Sequence, residues 1–452
     1  MNYNNLKISN LQLIIVYLFL YLSMLFGFYS NENLTGGAIR DFGSYVQMLN
    51  IAKKDLFEFF NIFSNLSMDH SPFYFALMSV VQSFFDGITL NVNTNTKIYH
   101  YHLDVYGAEY GFLRLFYLHL SVVIPLIFYF CLKEKYKELD KNILFLISLF
   151  ILISPCFRSY AIWAGDLNLA LLFLLLGIFF YLKFTNELEL KNQLIFIFLN
   201  VLFVALAAYV RPIYSLFSIF FFYKIFLLKG LSKQLILFCL INVIFSFPAV
   251  YYVFILDNIF FTWANNFFMD PTLVLYSTNI LIISSIFLFY LFPFIIIKND
   301  KNIINSIKIN TKQILFLSTS FFITIFFIYN FNYSISSLGG GGIFFKASQL
   351  LFNNNYLFYF ICFFSFLIFS KIFFDKDIGD ILLLLVLICL DPDPFVYHKT
   401  FDPLLMCIAL LLFNNEFFNS LTKENYKKFS VYLISYYFLI FIIYFVIRTS
   451  IN

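Results

Sequence analysis

Apolar runs dominate this chain, and their number and length constrain its fold more than any other feature of the sequence. A helix needs about 20 mostly apolar residues to cross the hydrocarbon core of a bilayer. We read thirteen runs as spans, several of them short, at residues 10–29, 112–132, 142–156, 167–182, 193–209, 213–228, 234–254, 274–297, 314–330, 355–370, 379–390, 403–414 and 429–447. The sequence therefore predicts an all-α polytopic membrane protein with about thirteen transmembrane helices.

The composition excludes several classes of protein. Hydrophobic residues make up 62% of the chain and charged residues 12%, with a mean hydropathy of +0.85. Soluble domains carry about 25% charged residues, so a water-soluble enzyme, a disordered chain and a secreted disulfide scaffold are excluded. The cysteines lie in or beside apolar runs with no CxxC pair, which predicts neither a disulfide nor a zinc site. They are Cys131, Cys156, Cys239, Cys362, Cys389 and Cys407.

The placement of lysines supports the number of spans and predicts an orientation. With the N-terminus in the cytoplasm, 19 of the 29 basic residues fall in short inner loops, and all 19 are lysines. This distribution follows the positive-inside rule at each crossing. The inner set is Lys7, Lys133, Lys135, Lys137, Lys141, Lys183, Lys191, Lys224, Lys229, Lys233, Lys298, Lys301, Lys308, Lys312, Lys371, Lys376, Lys423, Lys427 and Lys428. We predict a multi-pass protein of the plasma (inner) membrane, whose first run is a span and not a cleavable signal peptide.

The lysine pattern requires that one helix-like stretch, residues 71–87, does not cross the membrane. If it crossed, every lysine-rich loop after it would change sides. We therefore predict an interfacial or re-entrant helix there, within a long first outer loop over residues 30–111. The whole chain, residues 1–452, then forms a single integral membrane domain with no separate soluble domain.

The arginines gather on the opposite side from the lysines. They are Arg40, Arg114, Arg158, Arg211 and Arg448. Arginine presents a rigid bidentate fork that suits phosphate, whereas snorkelling to the membrane interface is the alternative for each one taken alone. Arg448, near the C-terminus, fits an interface anchor. The other four lie at the mouths of different spans and face one compartment.

Two polar clusters lie in the first outer loop. Asp41 follows the first span and precedes a helix-like run at 44–63, where a carboxylate can act as a general base or hold a divalent cation. A helix N-cap is the structural alternative for Asp41. Asp69 and His70 precede Ser71-Pro72, in which the serine and the proline suit the start of a helix. This interpretation explains Ser71 and Pro72 but gives no reason for His70.

A third cluster occupies residues 154–166, a short outer connection between two spans. It contains Arg158 and Asp166, and ionisable residues at the mouth of a span indicate a functional site by default. A structural ion pair between Arg158 and Asp166 is the alternative. Arg211 lies in a tight turn between two later spans.

Two weaker signals follow in the second half. A four-glycine run, residues 339–342, precedes Lys346, and four glycines can offer bare backbone N–H groups to a phosphate. A flexible loop is the plainer interpretation, because the run lacks the GK[ST] ending of a Walker A motif. His398 and Lys399 follow two Asp-Pro turns and are suited to grip an anionic headgroup.

Taken in order along the chain, these segments resemble a bacterial family. The chain is similar to the GT-C glycosyltransferases of the dolichyl-phosphate-mannose protein mannosyltransferase and lipid A aminoarabinose transferase superfamily. The resemblance lies mostly in residues 10–230 and depends on the order, spacing and common side of the motifs. The matching segments are Asp41 with Tyr45 four residues later, Asp69-His70-Ser71-Pro72-Phe73-Tyr74, Phe112-Leu113-Arg114-Leu115, Ser154-Pro155 through Asp166, Tyr209-Val210-Arg211-Pro212, and Tyr397-His398-Lys399 with Pro403.

The resemblance implies an enzyme that moves a sugar from a polyprenyl-phosphate donor to a glycan, lipid or protein acceptor on the outer face. It assigns Asp41 as the base that takes the acceptor's proton during an in-line, inverting attack. It assigns Asp166 to orient Arg158 or to share a divalent cation with Asp41, and it implies no other cofactor. The expected substrate-binding residues are Arg40, Tyr45, Asp69, His70, Arg114, Arg158, Arg211, Lys346, His398 and Lys399. Membrane lipids are expected partners, and nucleic acids are not.

Two other classes of protein stay as alternatives. A transporter of a lipid-linked or ionic substrate usually has internal repeats and charges near the bilayer midplane, but this chain shows no convincing repeat and its charges gather at one face. An O-antigen polymerase or ligase keeps its large loop late in the chain, whereas the only long loop predicted here is the first one.

Overall fold

The computed structural model describes most of the chain and divides it into two compact units. Unit 1 comprises residues 1–260 and 430–452, and unit 2 comprises residues 261–429. The described residues are 8–35, 38–62, 71–90, 92, 109–251, 272–299, 311–333, 340–374, 377–391, 396–414, 418, 421 and 425–451. Within these ranges every regular element is a helix, so the prediction of an all-α protein is confirmed.

The helices of unit 1 are joined mostly by short connections. They are α1 (Asn10–Tyr29), α2 (Ala38–Lys54), α3 (Leu56–Ile62), α4 (Pro72–Ser83), α5 (Gly111–Val122), α6 (Ile124–Lys135), α7 (Lys141–Ser148), α8 (Phe150–Ile153), α9 (Pro155–Ile162), α10 (Asp166–Asn186), α11 (Leu190–Val210), the 3₁₀ helix Pro212–Leu216, α12 (Phe217–Lys229) and α13 (Lys233–Val250).

The described residues of unit 2 form six further α-helices, and the helix Tyr426–Ile451 lies mostly in unit 1. The helices of unit 2 are α14 (Leu273–Asn299), α15 (Thr311–Tyr329), α16 (Gly342–Phe352), α17 (Tyr356–Phe374), α18 (Ile378–Ile388), the 3₁₀ helix His398–Thr400 and α19 (Leu404–Leu411). The last helix is α20 (Tyr426–Ile451).

Among the described residues, eight helical segments are long and apolar enough to cross a membrane, and a bent pair would make nine. The protein is therefore a polytopic membrane protein, as the apolar runs predict. Each of the thirteen predicted runs overlaps a helix, but those in unit 2 after α14 coincide with shorter apolar helices. The count of thirteen spans stays a prediction.

The bent pair is the main local departure from the predicted spans. The run 142–156 was expected to form one span, but Lys141–Ile153 and Pro155–Ile162 meet at 65°. Pro155 explains the break, because proline lacks an N–H donor and its ring clashes with the preceding turn. Ser154 caps the new helix, accepting a hydrogen bond from the Phe157 N–H at 3.2 Å. The break directs α9 on a new path through the interior of unit 1, where all of its residues are buried.

In the first connecting segment, predicted over 30–111, the described residues form three helices that are not candidate spans. The expected helix at 71–87 forms as α4, which has 12 residues. It packs against α2, with the rings of Tyr45 and Phe75 5.5 Å apart. The helix expected at 44–63 begins earlier than predicted, at Ala38, and forms as α2 and α3.

Helices α10 and α11 pack closely against each other. A Cβ at Gly177 would lie 2.9 Å from Val204 Cγ2, so only glycine permits this approach. The Asn200 side chain donates to the Gly177 carbonyl at 2.9 Å. Small residues and hydrogen bonds from polar side chains are typical of the contacts between helices in a membrane. The pairing holds the start of α10 and the end of α11 beside each other.

Candidate functional site

The centre of the candidate site is an ion pair between Asp166 and Arg211. Asp166 is the first residue of α10, where a carboxylate also suits the positive end of the helix dipole. Arg211 lies between the end of α11 and Pro212, which starts a 3₁₀ helix. The Arg211 Nε lies 2.8 Å from Asp166 Oδ2, and Nη2 lies 3.3 Å from Oδ1. Two helix ends thus bring together residues 45 positions apart in the sequence.

The Asp166 carboxylate keeps the partly buried Arg211 charged. The Asp166 side chain is 1% exposed, whereas the Arg211 side chain is 23% exposed. Burial disfavours the Arg211 guanidinium, but the Asp166 carboxylate outweighs it and raises the pKa of Arg211 above its ordinary value. The pair therefore presents a permanent cation, held in place from one side by a buried carboxylate.

Asp41 lies in the same cluster, held by a tyrosine of the bent helix. It occupies the first turn of α2, so it is a helical residue and not the N-cap that the predicted boundary suggested. The Tyr160 hydroxyl donates to Asp41 Oδ2 at 2.6 Å. Tyr160 is almost completely buried, whereas Asp41 is half-buried. Asp41 is therefore both fixed in position and within reach of solvent.

Tyr45 shares a helix with Asp41 and is hydrogen-bonded to Asp166. It follows Asp41 by one turn of α2, so both side chains project from the same face of the helix. The Tyr45 hydroxyl donates to Asp166 Oδ1 at 3.2 Å. Its burial, together with the charges of Asp166 and Asp41, raises the pKa of Tyr45 well above the ordinary tyrosine value. Tyr45 is therefore a neutral hydrogen-bond donor at every physiological pH.

The turn before Asp166 is strained and is held by tyrosines from other helices. Ala164 has a φ of +45°, a conformation that costs a non-glycine residue about 1–2 kcal/mol. The Tyr74 hydroxyl donates to the Ala164 carbonyl, and the Tyr117 hydroxyl donates to the Gly165 carbonyl. Tyr117 in turn accepts from the Leu169 N–H at 3.0 Å. Residues of α4 and α5 thus fix the direction in which α10 starts and presents Asp166.

The structure differs from the predicted pairing of Arg158. Its guanidinium binds Glu32, not Asp166, through Nε and Nη2, each 2.8 Å from a carboxylate oxygen. Further bonds run to the Ser23 hydroxyl at 2.9 Å and the Ser23 carbonyl at 3.1 Å. The side chain is 3% exposed. A buried arginine engaged in this way braces α9 against α1 and has no face for a substrate phosphate.

Arg114 is also committed to the protein interior. Its guanidinium stacks 3.7 Å from the Trp163 ring centroid. Nε donates to the Ile162 carbonyl at 3.0 Å, and Nη2 donates to Asn31 Oδ1 at 3.1 Å. Arg114 is 1% exposed. It therefore supports the turn after α9 and is not placed among the groups that face the cluster.

The structure does not describe two of the predicted site residues or the side chain of a third. Asp69 and His70 lie outside the described residues, as does the side chain of Arg40. Ser71, the first described residue after this gap, donates to the Tyr209 carbonyl near the end of α11. The chain at Ser71 is therefore anchored two residues from Arg211.

Lys346, His398 and Lys399 belong to unit 2. His398 Nε2 accepts from the Ile343 N–H at 2.7 Å, and His398 Nδ1 lies 3.2 Å from the Tyr290 hydroxyl. Burial and the nearby Lys346 ammonium lower the pKa of His398 to about 3. The imidazole is therefore neutral and caps the start of α16. Lys399 lies over the Tyr397 ring at 5.2 Å.

The carboxylates do not fit the predicted shared-cation site. Both Asp166 oxygens contact Arg211, and one also accepts from Tyr45. Oδ2 of Asp41 accepts from Tyr160. Across the described part of the chain, no group of three histidine, cysteine or acidic residues is arranged to hold a metal ion. A guanidinium thus occupies the position beside Asp166 that a divalent cation would need.

Sequence reasoning missed Glu32 and three of the tyrosines. Tyr74 and Tyr160 lie inside the motif segments 69–74 and 154–166, but many of the 32 tyrosines of this chain are unremarkable. Glu32 is a single acid just after the first apolar run, and Tyr117 lies within the second. Only their positions next to span ends carried a signal.

Comparisons with protein-family models, with curated proteins and with solved structures find no match for this chain. The class that the fold defines is a polytopic, all-α membrane protein.

Proposed function

We propose that this protein is a membrane glycosyltransferase that moves a sugar from a polyprenyl-phosphate donor to an acceptor hydroxyl. The observation that carries the proposal is the cluster of Asp41, Tyr45, Asp166 and Arg211, which contains a half-buried carboxylate beside an ion pair. All four residues belong to the segments on which the resemblance to GT-C enzymes was drawn. Their convergence from α2, α10 and the end of α11 supports a common role.

Asp41 serves as the general base in this proposal. The acceptor oxygen attacks the anomeric carbon while the bond from that carbon to the phosphate oxygen breaks. The hydroxyl proton passes to the Asp41 carboxylate, and the bonding electron pair leaves with the phosphate. Attack in line with the leaving group inverts the anomeric centre. A base must lie within hydrogen-bond reach of the proton that it takes, which suits a half-buried and not a fully buried carboxylate.

Arg211 stabilises the leaving phosphate. It is the cation of the cluster whose side chain keeps an exposed part. Preorganised charge at the place where negative charge develops is commonly the largest catalytic contribution. Asp166 orients Arg211, which replaces the expected role of orienting Arg158. Lys346, His398 and Lys399 are proposed as further contacts for the donor only through the resemblance.

The cellular setting belongs to the same proposal. The lysine pattern favours thirteen spans with the N-terminus in the cytoplasm of a bacterial inner membrane, and a cluster that opens on the outer face. There the prenyl tail of the donor lies between spans, and the acceptor is a glycan, lipid or protein. Membrane lipids surround the helices.

Deletion of the protein combined with mass spectrometry of lipid-linked glycans tests the function. We expect an acceptor that lacks one sugar and an accumulation of the polyprenyl-phosphate donor. Complementation with Asp41→Asn should fail, whereas Asp55→Asn should restore the glycan. Asp55 is a matched control because its carboxylate caps α3, accepting from the Phe57 N–H at 2.8 Å. An unchanged envelope glycan in the deletion strain would refute the proposal, and an accumulation of complete lipid-linked glycan would favour a transporter.

A further inference from the structure

Tyr160, a residue outside this assignment, contacts both acidic segments. Tyr160 lies near the end of α9, and its hydroxyl donates to Asp41 at 2.6 Å. Its carbonyl accepts from the Gly165 N–H at 2.8 Å. Gly165 directly precedes Asp166, so a single residue is bonded to one carboxylate and to the backbone beside the other.

The Tyr160 ring is locked between these contacts. A Cβ built on Gly165 would lie 1.9 Å from the Tyr160 ring carbon Cδ1, so the ring rests directly on the glycine backbone. The side chain is 1% exposed. The fixed ring holds the hydroxyl oxygen within hydrogen-bond distance of Asp41.

We propose that Tyr160 is a positioning residue that holds the Asp41 carboxylate in its ionised form and sets the pH at which Asp41 can accept a proton. A hydrogen bond donated to a carboxylate stabilises the charged form over the protonated one. Loss of one such bond to a charged group shifts a titration by roughly one pH unit. The inference depends on the proposed function only for what Asp41 does with the proton.

Two tyrosines near Asp41 differ in where their hydroxyls point. Tyr45, from the same helix, interacts electrostatically with both Asp41 and Asp166, and Tyr160 interacts with Asp41, Asp166 and Arg211. Tyr45 directs its hydroxyl to Asp166. Arg211 is bound to Asp166. The Tyr160 hydroxyl, in contrast, is bonded directly to Asp41.

Carbodiimide labelling of Asp41, followed by peptide mass spectrometry across a pH series, measures its titration without any substrate. Tyr160→Phe keeps the ring on Gly165 and removes only the hydroxyl. In this variant we expect the labelling midpoint, which is the pH at which half of Asp41 is labelled, to rise by about one pH unit. Tyr45→Phe is the matched control, because it removes a hydroxyl bonded to the other carboxylate, and its midpoint should stay within a few tenths of a pH unit.

Incorporation of 3,5-difluorotyrosine at position 160 provides a second variant of nearly wild-type size, in case Tyr160→Phe does not fold. Its more acidic hydroxyl is a stronger donor, so the midpoint should fall. An unchanged midpoint in the Phe and difluoro variants, or an equal rise in the Tyr160 and Tyr45 variants, would overturn the inference.

The outcomes separate this inference from the proposed function. If the midpoint shifts as expected but Asp41→Asn still transfers sugar, the glycosyltransferase proposal fails and the contact stands. If Asp41→Asn abolishes transfer and the Tyr160 variants do not shift the midpoint, only the role of Tyr160 fails. In a transfer assay, Tyr160→Phe should also move the acidic limb of the pH profile upward, which a merely structural defect would not do.

Discussion

The tight contact between Gly165 and Tyr160 predicts that Gly165→Ala is among the most damaging single-methyl additions in unit 1. The added Cβ would lie 1.9 Å from Tyr160 Cδ1, 2.7 Å from Cε1 and 2.8 Å from Cγ. Carbon atoms in favourable contact lie about 3.5–4.0 Å apart. The ring would therefore have to move by well over an ångström, and its buried position leaves no space for that movement.

The cost has two parts. Overpacking a tight interior typically costs about 1–3 kcal/mol. Movement of the ring also breaks the Tyr160–Asp41 hydrogen bond, and a bond to a charged group contributes about 1.5–3 kcal/mol. Together these reach about 3–6 kcal/mol, a large share of the roughly 5–15 kcal/mol that stabilises a typical domain.

Thermal unfolding in detergent, followed by fluorescence size-exclusion chromatography, measures the effect. Gly43→Ala is the matched control: Gly43 lies inside α2, and a Cβ there would meet nothing within 4 Å. That variant should gain up to about 1 kcal/mol, because alanine is the better helix former. In a Tyr160→Val background, Gly165→Ala should cost little more. A Gly165→Ala protein that unfolds at the wild-type temperature would refute this account of the turn.

Three further expectations follow from the charges. Arg211→Leu should lower the free energy of unfolding by about 3–5 kcal/mol because it leaves the buried Asp166 carboxylate without its cation. Adding Asp166→Asn should restore much of the thermal stability. A fully additive loss in the double variant would contradict the pairing. Glu32→Gln should destabilise unit 1 through Arg158 without changing the Asp41 labelling midpoint, as measured by melting and by labelling. His398 has a folded pKa of about 3 against an ordinary value of 6.5, so the unfolded chain binds more protons between these values, and stability should fall as pH falls from about 6.5 toward 3. His398→Gln should flatten that dependence, and an unchanged slope would contradict the burial of His398.

The helices were largely predictable from local sequence. In hydrocarbon, a backbone must satisfy its own hydrogen bonds, and a helix does so within one segment. A run of apolar residues therefore indicates both a helix and its place in the membrane, and α1 has the bounds that its run predicted. The bend at Pro155 was not anticipated, although the proline itself was visible. Its consequence, a buried helix that carries Tyr160, depends on what packs around it.

The site was predictable only in part. Asp41, Tyr45, Asp166 and Arg211 were all named from the sequence, because ionisable residues near span ends are few in a chain with 12% charged residues. Their partners were not predictable. An ion pair of Arg158 with Asp166 was the structural alternative offered by the sequence, whereas the structure pairs Arg158 with Glu32, which lies 126 positions away.

Hydrophobicity acts residue by residue, so the amino-acid sequence was sufficient to establish an all-α membrane protein and to indicate which few charges matter. The pairing of those charges depends on distances of a few ångströms between segments far apart in the chain. A buried charge needs a partner, and several candidates satisfy that need equally well in the sequence. Packing of α9 against α1 and of α10 against α11 made the choice, because it determined which guanidinium reached which carboxylate.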